Sequence, residues 1–206
     1  LACRPRLLIA DEPTSALDVT VQQTILDQID KQTNELGAAV LLITHDLGLA
    51  AERASRVVVM HRGRVVEQGP ARQILENPQH AYTKSLVAAA PSVAAVRLRP
   101  EDFRTGAEAT PDAARDHIVE ITNLTKVYPT RGKNEDFRAV DDVSLSIPRG
   151  ETVAIVGESG SGKTTTARML LKVVEPTSGT ITFDGQDVGA LKGDALRQFR
   201  QKVQPI

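Results

Sequence analysis

The chain has 206 residues, of which 41% are hydrophobic and 25% are charged, the usual composition of a globular protein. Its formal net charge of -1 offers no broad basic surface, so we expect no nucleic-acid partner. The single cysteine, Cys3, excludes an internal disulfide and fits a reducing cytoplasm. No apolar run approaches the ~20 residues that a membrane-spanning helix needs.

Buried strands and helices alternate along the first segment, residues 1–91. The apolar run "LLIA" predicts a parallel strand that is buried on both faces, and "AAVLLITH" predicts a second one that ends at His45. Between these strands, Asp18 is expected to cap a helix that begins near Val19 and stops at Gly37. The run "RVVVMHRGRVVEQG" then predicts a hairpin that turns at its Arg-Gly pair, and two short helices follow it.

A linker is predicted at residues 92–116, between two ordered segments. Its stretch "RLRPEDFRTGAEATPDAARD" has nine charged residues in twenty, so it buries too little apolar surface to offset its ordering entropy. In the second segment, residues 117–206, "HIVEIT" and "AVDDVSLSI" alternate as half-buried strands do. A buried strand, "ETVAIV", then runs directly into a glycine-rich loop, and an amphipathic helix follows that loop.

The glycine-rich loop, "GESGSGKT" from Gly157 to Thr164, matches the pattern G-x-x-x-x-G-K-[ST] in full. Glycines let the backbone curl until its N–H groups point at phosphate oxygens, and the following helix adds the positive end of its dipole. Lys163 supplies a charge for the β- and γ-phosphates, and the Thr164 hydroxyl is placed to hold Mg²⁺. The alternative is a glycine-rich turn that contains a lysine by chance, and the surrounding strand and helix argue against it.

Three polar residues end the two buried strands of the first segment. Asp11 would hold Mg²⁺, and Glu12 would polarise an attacking water as general base. His45 ends the neighbouring strand, from which it could reach a γ-phosphate. The alternatives are a solvated strand end for the two acids and a hydrogen-bonded core position for the histidine.

A tyrosine, Tyr128 in "KVYP", precedes the glycine-rich loop by one hairpin. An aromatic ring at this position could stack on a nucleotide base, which the phosphate loop cannot read. The alternative is a strand-end tyrosine that packs on its neighbours. The position of Tyr128 in the sequence, taken alone, favours this alternative.

Several of these stretches resemble one protein family. "LLIADEPTSALD" followed by "LLITHDL" resembles the Walker B, D-loop and H-loop series of ABC transporter ATPase domains. "KVYP", "VSLSIPRGETVAIVGESGSGKTT" and "VVEPTSGTITFDGQDV" resemble the opening of such a domain, from its A-loop tyrosine through Walker A. "GPARQILENPQHAYTKSLVAAAP" is similar to the C-terminal extension of ATPases that serve oligopeptide and dipeptide importers.

The resemblance implies an α/β fold of the P-loop NTPase (RecA-like) class, with a three-layer core around a mainly parallel sheet and an antiparallel β subdomain. It implies two partial domains joined by a flexible linker. Residues 1–91 would be the C-terminal part of a first ATPase domain, with the importer-type extension at about 69–91, and residues 117–206 the N-terminal part of a second. We therefore expect a tandem ATPase, seen as an internal fragment whose LSGGQ-like signature and Q-loop glutamine lie outside these residues.

The resemblance also implies roles for single residues. Asp11 would be the Walker B magnesium ligand, Glu12 the catalytic base, His45 the switch histidine, Asp18 the D-loop aspartate and Tyr128 the residue that stacks on adenine. The residues implied to bind the phosphates of ATP, with Thr164 also on Mg²⁺, are Gly157, Glu158, Ser159, Gly160, Ser161, Gly162, Lys163, Thr164 and Thr165.

The implied function is ATP hydrolysis coupled to the import of di- or oligopeptides. The implied partners are two transmembrane permease subunits and an extracytoplasmic solute-binding protein, with the ATPase domains dimerising inside the tandem chain. The implied location is the cytoplasmic face of the inner membrane, as a peripheral subunit. Two other functions are considered: a truncated P-loop fragment that binds nucleotide without turnover, and a soluble ABC ATPase that acts outside transport.

A permuted core is a further structural alternative. Because the two segments resemble parts of homologous domains, their strands could pair with each other and unite Lys163 with Asp11 and Glu12. The linker of about twenty residues is long enough to span a small domain. Such a core is expected to hydrolyse ATP poorly, because the helical subdomain that carries the signature loop is missing from it.

Overall fold

The computed structural model describes residues 4–13, 19–89, 116–129 and 136–206, which form two β-sheets and six helices. The elements of the first segment are β1 (Leu7–Asp11), α1 (Val19–Leu36), β2 (Ala39–Thr44), α2 (Leu47–Arg53), β3 (Arg56–His61), β4 (Arg64–Pro70), α3 (Ala71–Glu76) and α4 (Ala81–Ala89). Those of the second segment are β5 (His117–Tyr128), β6 (Phe137–Pro148), β7 (Thr152–Val156), α5 (Lys163–Leu170), β8 (Ser178–Phe183), β9 (Gln186–Asp187), α6 (Gly193–Lys202) and β10 (Val203–Pro205).

The central sheet contains strands from both segments, in the order β10-β1-β2-β7-β3-β4. Strand β7 lies between β2 and β3 and is parallel to both, with Ile155 opposite Ile43 on one side and Val58 on the other. Only β4 runs antiparallel, as the second strand of the β3–β4 hairpin. The described residues therefore adopt the permuted arrangement, in which the second segment supplies a strand that the first segment surrounds.

Both faces of the central sheet are buried, which accounts for its continuous apolar runs. On one face, Leu41, Ile43 and Ile155 belong to a cluster that also includes side chains of the second sheet and of α5. On the other face, Leu42 and Ala154 belong to a cluster that includes side chains of α2 and α3. Each cluster mixes residues of the two segments, so the segments share one core.

The second sheet is antiparallel, in the order β6-β5-β8-β9. The two long strands β5 and β6 pair along most of their length, with shifts of register between Ile121 and Leu124 and again near Lys126. The α/β class with a mainly parallel sheet and a separate antiparallel sheet, predicted from the sequence, is confirmed.

The turns follow from local backbone chemistry. The β3–β4 hairpin turns at Arg62 and Gly63, which both have positive φ, 49° and 80°, as a type I′ turn requires. Helix α1 ends before Gly37, whose φ of 60° is the left-handed conformation expected after a helix C-terminus. Both turns were predicted at these positions. The predicted cap Asp18 and residues 92–115 of the predicted linker lie outside the described residues.

A salt bridge between Arg6 and Asp184 joins the two segments just before β1 begins, and Arg149 extends it within the second segment. The carboxylate of Asp184 accepts hydrogen bonds from Arg149 Nη2 at 2.7 Å and from Arg6 Nη2 at 3.0 Å. Arg149 also donates from Nε to Asp116 at 2.6 Å. These hydrogen bonds, that of Arg149 foremost, lower the pKa of Asp184 despite the opposing effect of burial.

Among the helices in the described part of the chain, none has both the length and the apolarity to cross a bilayer.

The shared core predicts that Ile155→Ala destabilises both segments together. Ile155 is fully buried, and truncating such a side chain costs about 2–5 kcal/mol. Hydrogen exchange should therefore accelerate in β2 of the first segment as well as in β7. Val173→Ala is the control, because Val173 is 69% exposed and its change should leave exchange unaltered. Faster exchange confined to residues 116–206 would contradict a shared core.

A second prediction concerns the pH dependence of stability. Because the folded-state pKa of Asp184 is lowered, its stabilising effect is complete above the unfolded value of about 3.9 and is lost as pH falls through the folded pKa. Asp184→Asn should therefore lower the free energy of unfolding at pH 7, and its difference from the wild type should shrink below about pH 4. Denaturant titrations at pH 7 and pH 3 measure this difference. A difference of equal size at both pH values would contradict the assignment.

Candidate functional site

The candidate site lies where three parallel strands end at one edge of the central sheet. Asp11 is the last residue of β1 and Glu12 follows it, His45 follows β2, and Gly157 follows β7. Parallel strands bring their carboxyl ends to the same edge, where ligands bind in open α/β sheets. The central position of β7 thus brings a loop of the second segment beside acids of the first.

Two glycines of the loop are required by close backbone approach. A Cβ atom on Gly157 would lie 2.1 Å from the carbonyl oxygen of Met60, and one on Gly162 would lie 2.4 Å from that of Ala139. Gly162 also has a φ of 98° at the position just before α5 begins. The loop therefore passes too close to β3 and β6 for any side chain at these two positions.

Lys163, the first residue of α5, points its ammonium group back into the loop. It is only 5% exposed, and its Nζ donates to the carbonyl oxygens of Gly157 at 2.9 Å and Glu158 at 3.0 Å. Burial lowers the pKa of Lys163, while the charges of Glu12 and Asp11 act in the opposite direction. The positive charge of Lys163 thus lies beside two acids with little surrounding water. Weak hydration strengthens its electrostatic attraction for a bound anion.

The hydroxyl of Thr164 donates to Asp11 Oδ1 at 3.2 Å, which is a direct contact between the two segments. A hydroxyl and a carboxylate are the hard oxygen donors that Mg²⁺ prefers. Among the described residues there is no group of three or more His, Cys, Asp or Glu that could hold a metal ion. A pair of protein oxygens fits Mg²⁺ even so, because this ion usually keeps several waters and takes its other ligands from substrate phosphates.

Glu12 and His45 face an open cavity at the edge of the sheet. His45 Nδ1 lies 3.4 Å from Glu12 Oε1, and the two side chains are 67% and 38% exposed. Glu12 has a φ of 51°, which is unusual for a residue with a side chain, and its N–H donates to Ile43 O at 2.9 Å. The cavity has a volume of about 500 Å³ and is lined by Glu12, His45, Leu86, Gly157, Glu158 and Ser159.

The structure brings most of the predicted site residues together, but not all of them. Ser161 is buried within the glycine-rich loop, Gly160 lies in the same loop, and Thr165 lies in α5.

Tyr128 ends β5, is 38% exposed and has the Lys126 ammonium 5.1 Å from its ring centroid. It does not line the cavity, and its stacking on a base stays a prediction. Asp18 lies outside the described residues.

Sequence reasoning missed two residues of α4 at this site. Leu86 lines the cavity, and the Tyr82 hydroxyl accepts a hydrogen bond from the Glu158 N–H at 3.1 Å. Their spacing within the helix indicates only an apolar face. The contact with the loop depends on how α4 packs on the central sheet, which no local pattern records.

Two family models match the chain. Residues 140–206 match the model described as ABC transporter. Residues 66–116 match the one described as Oligopeptide/dipeptide transporter, C-terminal region. The second match covers the predicted extension and continues through the stretch predicted as a linker.

Curated relatives match along the whole chain. It is 44% identical to the glutathione import ATP-binding protein GsiA of Pectobacterium atrosepticum and 40% identical to that of Escherichia coli K12. The chain spans 36% of the length of each of these relatives. Among solved structures, a bacterial ABC transporter cassette determined as a dimer is 34% identical over 40% of this chain and 34% of its own, with a TM-score of 0.37. The family resemblance seen in the sequence is confirmed by the family models and the relatives.

The two kinds of glycine in the loop give a matched pair of substitutions. Gly160 and Gly162 both have positive φ, but a Cβ on Gly160 meets nothing within 4 Å, whereas one on Gly162 meets the backbone of Ala139. Gly160→Ala should cost only the strain of the left-handed conformation, about 1–2 kcal/mol. Gly162→Ala should cost about 1–3 kcal/mol more in free energy of unfolding, measured by denaturant titration. Equal costs would contradict the close approach of the loop to β6.

Proposed function

We propose that this chain belongs to the ABC transporter ATPases and is part of the ATP-binding and ATP-hydrolysing subunit of an importer for short peptides. One observation supports ATP binding and hydrolysis at this site independently of the family. The hydroxyl of Thr164 contacts the carboxylate of Asp11, with Lys163 buried beside them. The glycine-rich loop thus shares one edge of the sheet with the residues that we propose as metal ligand and general base.

Each residue has a distinct role in this proposal. Lys163 and the loop N–H groups would bind the β- and γ-phosphates of ATP. Thr164 and Asp11 would hold Mg²⁺, which would supply a Lewis acid for the developing charge. Glu12 orients the attacking water and takes its proton. His45, 3.4 Å from Glu12, keeps that carboxylate turned toward the cavity. The exposed position of both side chains leaves room for the water and the γ-phosphate between them.

We expect slow turnover by this chain on its own. No LSGGQ-like signature occurs in its 206 residues, although the family that the chain resembles carries one. Nucleotide binding without turnover by the chain alone is therefore the second function considered. Hydrolysis would be completed by parts of a longer polypeptide, in which Asp18 acts as the D-loop aspartate and Tyr128 stacks on adenine.

The longer polypeptide is proposed to be a tandem ATPase. Residues 1–91 would be the C-terminal part of a first ATPase domain, and residues 117–206 would be the N-terminal part of a second. The two domains would dimerise inside one chain. The 36% share of the relatives' length that this chain spans supports the idea. The intact mass of the native polypeptide tests it: more than twice the 22.2 kDa of these residues is expected, and a mass equal to 22.2 kDa would contradict the tandem arrangement.

The partners are proposed by analogy with other members of the same family. Two transmembrane permease subunits would bind the ATPase domains at the cytoplasmic face of the inner membrane, and an extracytoplasmic solute-binding protein would deliver the solute. The relatives are named for the import of glutathione, itself a short peptide, and a match to the oligopeptide/dipeptide C-terminal region supports the same class of solute.

Two substitutions, one in each segment, test whether the site is shared. Lys163→Ala removes a charged hydrogen-bond donor and should raise the Kd of ATP about 10- to 100-fold. Asp11→Asn should weaken only the Mg²⁺-dependent part of the affinity, because it removes a metal ligand and leaves the phosphate loop intact. Calorimetric titration of ATP with Mg²⁺ and with EDTA separates the two effects.

Asp187→Asn is the control for loss of a carboxylate, because Asp187 is exposed and lies in β9 of the second sheet. It should bind ATP as the wild type does. If Asp11→Asn also binds ATP as the wild type does, with Mg²⁺ and without it, the first segment contributes nothing to the site and the proposal of a shared site is wrong.

A further inference from the structure

The peptide unit between Gly157 and Glu158 is held at both of its polar ends. Its N–H donates to the Tyr82 hydroxyl at 3.1 Å, and its carbonyl oxygen accepts from Lys163 Nζ at 2.9 Å. The N–H and C=O of a trans peptide point in opposite directions. Tyr82 and Lys163 therefore lie on opposite sides of this unit and fix its orientation between them.

The position of Tyr82 is set by contacts outside the loop. Its ring lies against that of His61, with 4.1 Å between the ring centroids, and it packs on the core cluster of the α2–α3 face. The start of α4 is anchored by Glu67, whose carboxylate accepts from the N–H groups of Gln79 at 2.8 Å and His80 at 3.0 Å. The hydroxyl is thus presented to the loop by a helix that β4 holds in place.

The tyrosine hydroxyl suits a site for phosphate because it stays neutral. Burial raises the pKa of Tyr82, and the hydrogen bond from Glu158 opposes this only in part. A neutral oxygen accepts the Glu158 N–H without adding a negative charge beside the phosphate loop. A carboxylate at the same place would repel the phosphates that the loop is proposed to bind.

We propose that Tyr82, in the C-terminal extension, is a positioning residue for Lys163. By holding the N–H of the Gly157–Glu158 peptide, its hydroxyl keeps the Gly157 carbonyl turned toward the lysine ammonium, and the ammonium in turn stays at the mouth of the loop. The extension thereby takes part in nucleotide binding without touching the nucleotide. The link between Tyr82 and Lys163 stands on the contacts above, and its effect on ATP rests on the proposed function.

Tyr82→Phe tests the link, because it keeps the ring against His61 and removes only the oxygen that accepts the Glu158 N–H. The first measurement needs no nucleotide: the rate at which the Lys163 ammonium protons exchange with water, followed by ¹H,¹⁵N NMR in the 206-residue chain at one fixed pH. A hydrogen-bonded donor exchanges more slowly than a free one, so a freed Gly157 carbonyl should speed this exchange in the variant. An unchanged exchange rate of the Lys163 ammonium would overturn the link.

The second measurement is the affinity for MgATP by calorimetry. Loss of one net hydrogen bond should raise the Kd of Tyr82→Phe about 3- to 10-fold. Lys84→Gln is the control on the same helix, since Lys84 is exposed, and it should bind MgATP as the wild type does. A Kd for Tyr82→Phe equal to that of the wild type would overturn the role in binding. A wild-type chain that binds no MgATP would instead contradict the proposed function, and the ammonium exchange measurement would still decide the link.

Discussion

The insertion of β7 between β2 and β3 is the interaction on which the rest of the structure depends. Without β7, those two strands would each expose an open edge of unpaired N–H and C=O groups. With it, Ile155 pairs with Ile43 on one side and Val58 on the other, and both faces of the sheet are covered. The shared core and the position of the glycine-rich loop both follow, since the loop is the direct continuation of β7.

The chemistry of the site follows from that placement. Because the loop emerges beside β2, one strand away from β1, the Lys163 ammonium is buried near Asp11 and Glu12, whose charges partly offset its desolvation. Thr164 contacts Asp11 for the same reason. The extension contributes through α4, which packs on the opposite face of the sheet from the second sheet and reaches the loop through Tyr82. The buried ammonium, the carboxylates near it and the Tyr82 hydroxyl that contacts the loop thus come from three separate stretches of the chain.

Local sequence patterns predicted the strands, helices and turns better than they predicted which strands pair with one another. The runs "LLIA" and "ETVAIV" indicated buried strands because strands covered on both faces have no polar alternation, and the Arg62-Gly63 turn followed from backbone chemistry. The pairing of β7 with β2 and β3 was only one alternative from the sequence. Apolar strands of similar composition do not by themselves specify which strands they pair with. Tyr82 could not be assigned to the site at all, because its contact with Glu158 arises from tertiary packing.

Strands of the two segments pair within one molecule, and interstrand backbone NOEs in the monomeric 206-residue chain test this pairing most directly. The structure predicts NOEs between residues 40–44 and 152–156 in the observed parallel register, with Ile43 opposite Ile155. It also predicts a second set between residues 56–59 and 153–156. NOEs confined to pairs within each segment, or present only in a dimer, would contradict a shared sheet and the site built on it.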